Sequence, residues 1–257
     1  MDRIYRLRQA GRIFHAIARD EDLRVANPRH GDIFSGYELG ESVPGGLREA
    51  TVLAPVTPSK LVCVGLNYRD HAAEMKKPLP PEPLLFLKPS TAVLDPGGTI
   101  KLPPGMGQVH YEGELAIVIG RRAHRVTRAH AWDYILGVTC LNDVTARDVQ
   151  NKETQYTRAK GFDTFAPFGP CIAAGLDGSP RAVETWVNGE RRQASTTAQL
   201  IFPVDFLVEY ITFVMTLEPG DIISTGTPSG VGQLHAGDSV TVKVEGVGEL
   251  TNPVENE

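Results

Sequence analysis

Eleven residues constrain this chain more than any others: His110-Tyr111-Glu112-Gly113-Glu114-Leu115-Ala116-Ile117-Val118-Ile119-Gly120. The stretch is apolar towards its end and acidic near its start, which predicts a short strand whose last part is buried. Alternate side chains of a strand share a face. His110, Glu112 and Glu114 therefore form one row, and Tyr111, Leu115, Ile117 and Ile119 line the other. Two carboxylates in one row repel each other unless positive charge sits between them. A hard divalent cation, which prefers oxygen ligands, is the natural partner. An E-x-E pair can also simply face solvent at a strand end, as charged side chains mostly do, so its surroundings decide.

The chain has 257 residues, enough for one large domain or two small ones. Its 41% apolar and 22% charged content is ordinary for a soluble globular protein. With 26 basic and 31 acidic side chains the net charge is −5. No basic stripe is present, which speaks against nucleic acid as a partner. No apolar run reaches membrane-spanning length, and Met1–Arg8 lacks the apolar stretch of a signal peptide. Cys63, Cys140 and Cys171 are far apart and form no CxxC, the pattern of reduced, buried thiols in a cytoplasm. The expectation is a cytoplasmic protein without a membrane partner.

Residues 1–57 read as a small N-terminal domain and 58–257 as the main one, with Pro58 at the boundary. Ile4–Leu7 and Arg12–Ala18 predict a hairpin around Gln9-Ala10-Gly11. Beyond the boundary, Ser59–Gly65 reads as a buried strand that runs through Leu66-Asn67-Tyr68 into a short helix. His71 and Glu74 lie three apart and share a helical face. A carboxylate beside an imidazole can orient it as a general base, and it can equally be an ordinary surface pair. Four prolines between Pro78 and Pro83 make a stiff connection in which a covering segment could hinge. Leu84–Leu87 is a short strand delivering Lys88, which either snorkels to the surface or faces a site.

After the E-x-E strand, Thr127 could cap a helix over Arg128–Tyr134. Ile135–Leu141 is the next buried strand, and it ends at Asn142-Asp143. Asp143 suits a third carboxylate ligand or a helix N-cap. Arg147 and Gln150, three apart, could face the same place. Arg158–Pro170 carries too much glycine, proline and aromatic character for a regular element; Lys160 is its notable charge, a site residue or a solvated lysine. Asn188-Gly189 between Ala182–Val187 and Glu190–Gln193 is a hairpin signal. Phe202–Leu217 reads as an apolar-periodic helix, Asp221–Thr225 as a strand, and Gly226–Gly232 as a loop only loosely like a phosphate cradle. Strand Ser239–Glu245 and a turn at Gly246–Gly248 close the chain.

Six motifs taken together resemble the fumarylacetoacetate hydrolase (FAH) family, from about Ser59 to the C-terminus. They are Val64-Gly65-Leu66-Asn67-Tyr68-x-x-His71-x-x-Glu74, Phe86-Leu87-Lys88-Pro89-Ser90, Tyr111-Glu112-Gly113-Glu114-Leu115, Asn142-Asp143-Val144-Thr145-Ala146-Arg147-Asp148, Lys160-Gly161-Phe162-Asp163-Thr164 and Thr225-Gly226-Thr227-Pro228. The resemblance implies a mainly β (α+β) fold, a mixed β-roll with short helices and a small N-terminal β-rich domain. It implies Glu112, Glu114 and Asp143 as ligands of Mg²⁺ or Mn²⁺, and His71, Glu74 and Lys160 as catalytic residues, with the His–Glu dyad in a lid segment. Arg147, Gln150 and Thr227 match substrate contacts, and Lys88 is a further candidate cation. Leu66 stands where some small-acid relatives carry Arg. A homodimer is the common assembly in this family. The implied substrate is a small 2-oxo or 2-enol carboxylic acid, processed through an enolate stabilised by a Lewis acid. The leading expectation is C–C bond cleavage of acylpyruvate or oxaloacetate type. The alternatives are isomerisation or tautomerisation of unsaturated 2-hydroxy dioates from aromatic breakdown, and a catalytically silent cation-binding β-domain.

Overall fold

The structure, a computed structural model, describes residues 1–20 and 22–257. Strands hold 44% of the chain and helices 18%, so the fold is mainly β, as expected. Its largest sheet is built around the apolar part of the E-x-E stretch. Strand Gly113–Ile119 pairs antiparallel with Ile135–Asn142 on one side and with Ile222–Ser224 on the other. Beyond Ile222–Ser224 come Leu61–Gly65, in parallel, and Leu84–Lys88 at the edge. In the other direction Ile135–Asn142 pairs with Ala166–Ala174, which pairs with Arg3–Gln9. The segment read as a small N-terminal domain thus continues the main sheet, through Arg3–Gln9, Arg12–Arg19, Asp22–Pro28 and Tyr37–Ser42.

All seven residues of Gly113–Ile119 are buried, because both faces of this strand are covered. Leu115, Ile117 and Ile119 join one apolar cluster with Leu207, Val208 and Ile211 of helix Val204–Val214. Ala116 and Val118 join a second with Ile4, Ile17, Leu61 and Phe168. Continuous burial on two faces explains why the stretch is unbrokenly apolar after Glu114. At roughly 25 cal/mol per Å², each buried Leu or Ile here adds about 1.5–3 kcal/mol of transfer free energy. A five-stranded sheet, ordered Glu190–Thr196, Ala182–Val187, Ser239–Val244, Gly248–Asn256, Ile100–Leu102, lies against the same cluster through Val183, Val242 and Leu250. Asn188 and Gly189 both take positive φ (52° and 78°), as the expected tight hairpin requires.

Four elements differ from expectation. The E-x-E stretch is two strands rather than one: Val109–Tyr111 belongs to a small three-stranded sheet, and the chain changes sheets at Glu112. Arg158–Pro170 is not irregular. Thr157–Lys160 is a helical turn and Ala166–Ala174 a nine-residue strand. Its prolines are accommodated where the register with Ile135–Asn142 shifts, between Val138 and Cys140, and where Pro167 meets Leu94. The expected helix over Phe202–Leu217 is shorter, Val204–Val214, because Pro203 occupies its N-cap and Leu217 exchanges backbone hydrogen bonds with Ala123 instead. The C-terminal turn leads into a nine-residue strand, Gly248–Asn256. No helix among the described residues is long and apolar enough to cross a membrane. The three cysteines are free and buried.

Candidate active site

Three carboxylates converge where the sheets meet. Glu112 lies at the point of sheet change, Glu114 is one residue inside the next strand, and Asp143 directly follows the neighbouring strand Ile135–Asn142. The ends are tied together: Asp143 N donates to Glu112 O (2.8 Å), and Glu112 N donates to Asn142 Oδ1 (2.9 Å). One oxygen from each carboxylate lies within 4.8 Å of the others. The residue between the two glutamates has to be glycine, because a Cβ on Gly113 would sit 1.9 Å from Thr185 Oγ1.

Two of the three carboxylates are neutralised by buried cations. Lys160 Nζ donates to Glu112 Oε2 (2.8 Å) and to Asp143 Oδ2 (2.6 Å), and lies over the Phe86 ring. Arg147 pairs with Glu112 and is steadied by Gln150 Oε1 (2.6 Å) and His110 Nδ1 (3.4 Å). Lys88 Nζ donates to Asp143 Oδ1 (2.6 Å) and Val144 O (3.0 Å). Glu114 has no cation. It accepts from Ser224 Oγ and from Gly226 N (2.8 Å). Gly226 adopts φ 99°, and a Cβ there would come within 2.8 Å of Asn67 Cβ.

The acidities follow from this arrangement. Burial raises Glu112, but Arg147 and then Lys160 outweigh it and hold the carboxyl well below its usual range. Burial, followed by the charges of Asp143 and Glu112, pushes Glu114 well up. Burial opposes the charge on Lys160, yet Asp143 and Glu112 keep its ammonium firmly protonated. Burial lowers Lys88 against the pull of Asp143. Burial and then the Arg147 charge take His110 down to about 4. Glu114 is thus the side chain in want of a positive partner. A hard divalent cation fits the donor set: three buried carboxylates, all oxygen.

The carboxylates form one wall of a cavity of about 690 Å³. His71, Glu74, Arg147, Gln150, Lys160 and Thr227 all line it. His71 Nδ1 lies 3.0 Å from Glu74 Oε2, and Gly230 N donates to Glu74 Oε1 (3.0 Å). The loop compared with a phosphate cradle therefore receives carboxylates of this chain, through the amides of Gly226 and Gly230. Leu66, Met75, Leu84, Phe86 and Tyr156 supply an apolar side.

Lys88 is a correction to the sequence reading. It is not on the cavity wall; its side chain is fully buried behind Asp143, so it orients a carboxylate rather than touching a ligand. Lys160 is neither solvated nor in a loop. Sequence reasoning missed Ser224 and Gln193, which reach Glu114 and Gly113 across 110 and 80 residues. It placed His110 in the right row without a role. No local signal marks Ser224 or Gln193, whereas the row position of His110 could have prompted attention.

A buried carboxylate triad with matched cations, on a mixed sheet and beside a His–Glu pair, defines a mainly β protein with a candidate metal centre. The family model described as fumarylacetoacetate (FAA) hydrolase C-terminal matches residues 60–255. A mitochondrial oxaloacetate tautomerase of Arabidopsis thaliana is 42% identical over 203 residues, covering 77% of this chain and 91% of the relative. Among solved structures, a 2-hydroxyhepta-2,4-diene-1,7-dioate isomerase from Mycobacterium marinum superposes with a TM-score of 0.91 at 42% identity, covering 100% of this chain and 99% of the other. A 5-carboxymethyl-2-hydroxymuconate delta-isomerase from Mycobacterium smegmatis does so with 0.88 at 45% identity, covering 99% of both. The chain belongs to the fumarylacetoacetate hydrolase family.

Proposed function

We propose that this chain is a divalent-cation-dependent enzyme that interconverts keto and enol forms, or double-bond positions, of 2-oxo dicarboxylic acids. The charge balance of the site carries the reading. Glu112, Glu114 and Asp143 contribute −3 when ionised, and Lys88, Lys160 and Arg147 contribute +3. A divalent cation brings the centre to +2, the complement of a dicarboxylate dianion. The His71–Glu74 pair lies outside this sum. The names of the A. thaliana, M. marinum and M. smegmatis relatives support the same class of chemistry.

Glu112, Glu114 and Asp143 would hold Mg²⁺ or Mn²⁺, which supplies Lewis acidity towards the C2 oxygen of the acid. Lys160 and Arg147 attract the dianion and keep Glu112 ionised. Glu74, which can only accept, fixes the proton of His71 on Nδ1 and leaves Nε2 as the base. His71 then carries a proton between C3 and the C2 oxygen: it leaves C3 as the enol forms on the C2 oxygen and comes back to C3 as the ketone re-forms, which is all that tautomerisation demands. A second reading, C–C cleavage of an acylpyruvate or decarboxylation of oxaloacetate, passes through the same enolate. The cavity, much larger than a four-carbon acid, leaves room for a water that His71 could activate for hydrolysis.

Proton NMR and enol absorbance of oxaloacetate, with acetylpyruvate in parallel, test both readings in the presence of Mg²⁺. The expected result is faster enol–keto exchange of oxaloacetate than in chelator-treated protein. Acetate and pyruvate from acetylpyruvate, or pyruvate from oxaloacetate, would instead support cleavage. No acceleration of either acid, in protein shown to hold metal, would shift the substrate to longer unsaturated dioates. Glu114→Ala should lose metal and activity, and His71→Ala should keep metal and lose turnover. Unchanged metal binding in Glu114→Ala would overturn the ligand assignment.

A further inference from the structure

Strand Glu190–Thr196 is the outer edge of the five-stranded sheet, and Gln193 is its one buried side chain, 1% exposed. A buried amide is costly unless each of its polar atoms is matched. Gln193 Oε1 accepts from Gly113 N (2.9 Å), and Nε2 donates to Thr227 Oγ1 (2.8 Å) and Pro228 O (2.9 Å). The backbone partners fix the orientation of the amide, since an N–H only donates and a carbonyl only accepts. Thr227 Oγ1 also lies 2.9 Å from Gly113 O, another obligate acceptor. The hydroxyl proton of Thr227 is therefore committed to Gly113, and one lone pair is taken by Gln193. A second lone pair remains, on a residue that lines the cavity.

We infer that Gln193 is a positioning residue that fixes Thr227 as an acceptor-only contact beside the carboxylate centre. This rests on the cavity being the substrate site. An oxygen with no proton to give recognises an O–H group and repels a carbonyl or carboxylate oxygen. Gly113 lies between Glu112 and Glu114, and Gly226, next to Thr227, donates to Glu114. The preference therefore acts at the end of the ligand nearest the centre. The site favours an acid carrying a C2 hydroxyl, enol or alcohol, over the same skeleton with a C2 carbonyl.

Calorimetric titration of Mn²⁺-loaded protein with 2-hydroxyglutarate and with 2-oxoglutarate reads this directly, and turnover does not enter. Chelation differs between the two acids, so the quantity compared is their affinity ratio across variants. Thr227→Val should lower the ratio in favour of the hydroxy acid about fivefold, the worth of one hydrogen bond, and Thr227→Ser should restore it. Gln193→Leu should lower it similarly, and the double variant Gln193→Leu/Thr227→Val should add nothing further. An unchanged ratio in folded, Mn²⁺-binding Gln193→Leu would overturn the inference. So would a further drop in the double variant. If Gln193→Leu does not fold, an equal ratio in wild type, Thr227→Val and Thr227→Ser overturns it. Failure of wild-type protein to bind either acid would remove both the inference and the reading of the cavity, whereas binding without catalysis would count against the proposed reaction alone.

Discussion

Replacing Glu114 by Gln should stabilise the metal-free protein and abolish the further stabilisation that metal gives. In the metal-free protein Glu114 is buried, 1% exposed, within 4.8 Å of two other carboxylates and without a cation of its own. At that separation and an effective dielectric of 20, each like-charge pair repels by about 3.5 kcal/mol, reduced by the ammonium of Lys160. A second route bounds the same cost. The folded carboxyl has a raised pKa, so its cost is absent below its ordinary value of 4.5 and grows as pH rises towards the folded pKa. Between 4.5 and pH 7 it cannot exceed about 3.4 kcal/mol. Both Ser224 and Gly226 bond to the same oxygen, Oε2, so a glutamine oxygen there can accept both. Its amide would then face Glu112 and Asp143. Glu114→Gln should accordingly stabilise metal-free protein by about 1–3 kcal/mol at pH 7, and by less at pH 5. Wild type should gain about 2.7 kcal/mol from Mn²⁺ at one hundred times its Kd, and the variant almost nothing. Urea unfolding at both pH values, with EDTA or with Mn²⁺, gives all four numbers. A metal-free variant less stable than wild type, or one retaining the Mn²⁺ increment, would refute the reasoning.

Other perturbations probe separate parts of the structure. Lys88→Met breaks a fully buried pair and should cost about 3–5 kcal/mol in urea unfolding, since Asp143 loses one of its two cations; a cost below 1 kcal/mol would remove Lys88 from the network. His110, lowered from 6.5 to about 4, refuses a proton that the unfolded chain accepts, so metal-free protein should lose stability as pH falls from 6.5 towards 4. His110→Asn should flatten that slope by about 1–2 kcal/mol, allowing for the exposure of a half-buried ring, in pH-resolved thermal melts. Asp221→Asn should destabilise by about 3 kcal/mol or more: its carboxylate accepts from the amides of Ser59, Lys60 and Glu218 and pairs with Lys60, joining the start of strand Leu61–Gly65 to that of Ile222–Ser224.

The three carboxylates were legible because each lies on, or one step beyond, a strand whose apolar run is unmistakable. The dyad was legible because its two members share one turn of helix. What the pattern hid has physical causes. Gln193 and Ser224 matter through contacts between sheets, which no local spacing encodes. Lys160 looked solvated because lysine usually is; its burial is sustained by two carboxylates that are remote in sequence. Strand Ala166–Ala174 was obscured by Pro167, Gly169 and Pro170, tolerated here by shifted register. Strand Gly248–Asn256 buries Leu250, Asn252 and Val254 in strict alternation. Its middle inward residue is polar, and Asn252 Nδ2 satisfies itself on Asp95 O and Gly98 O, a solution visible only in three dimensions.

The junction between Arg3–Gln9 and Ala166–Ala174 has a consequence for the exposed rim of the main sheet. Arg3 and Ile4 are registered against Ala173 and Ile172, and Cys171, Ile172 and Ala173 are completely buried. Without the first hairpin, that end of Ala166–Ala174 would be a bare apolar sheet edge, the template on which strands of other molecules add. The N-terminal strands cover that edge. They carry the open rim of the sheet outwards to Tyr37–Ser42, where no side chain is fully buried and Glu38 and Glu41 put negative charge on the last strand.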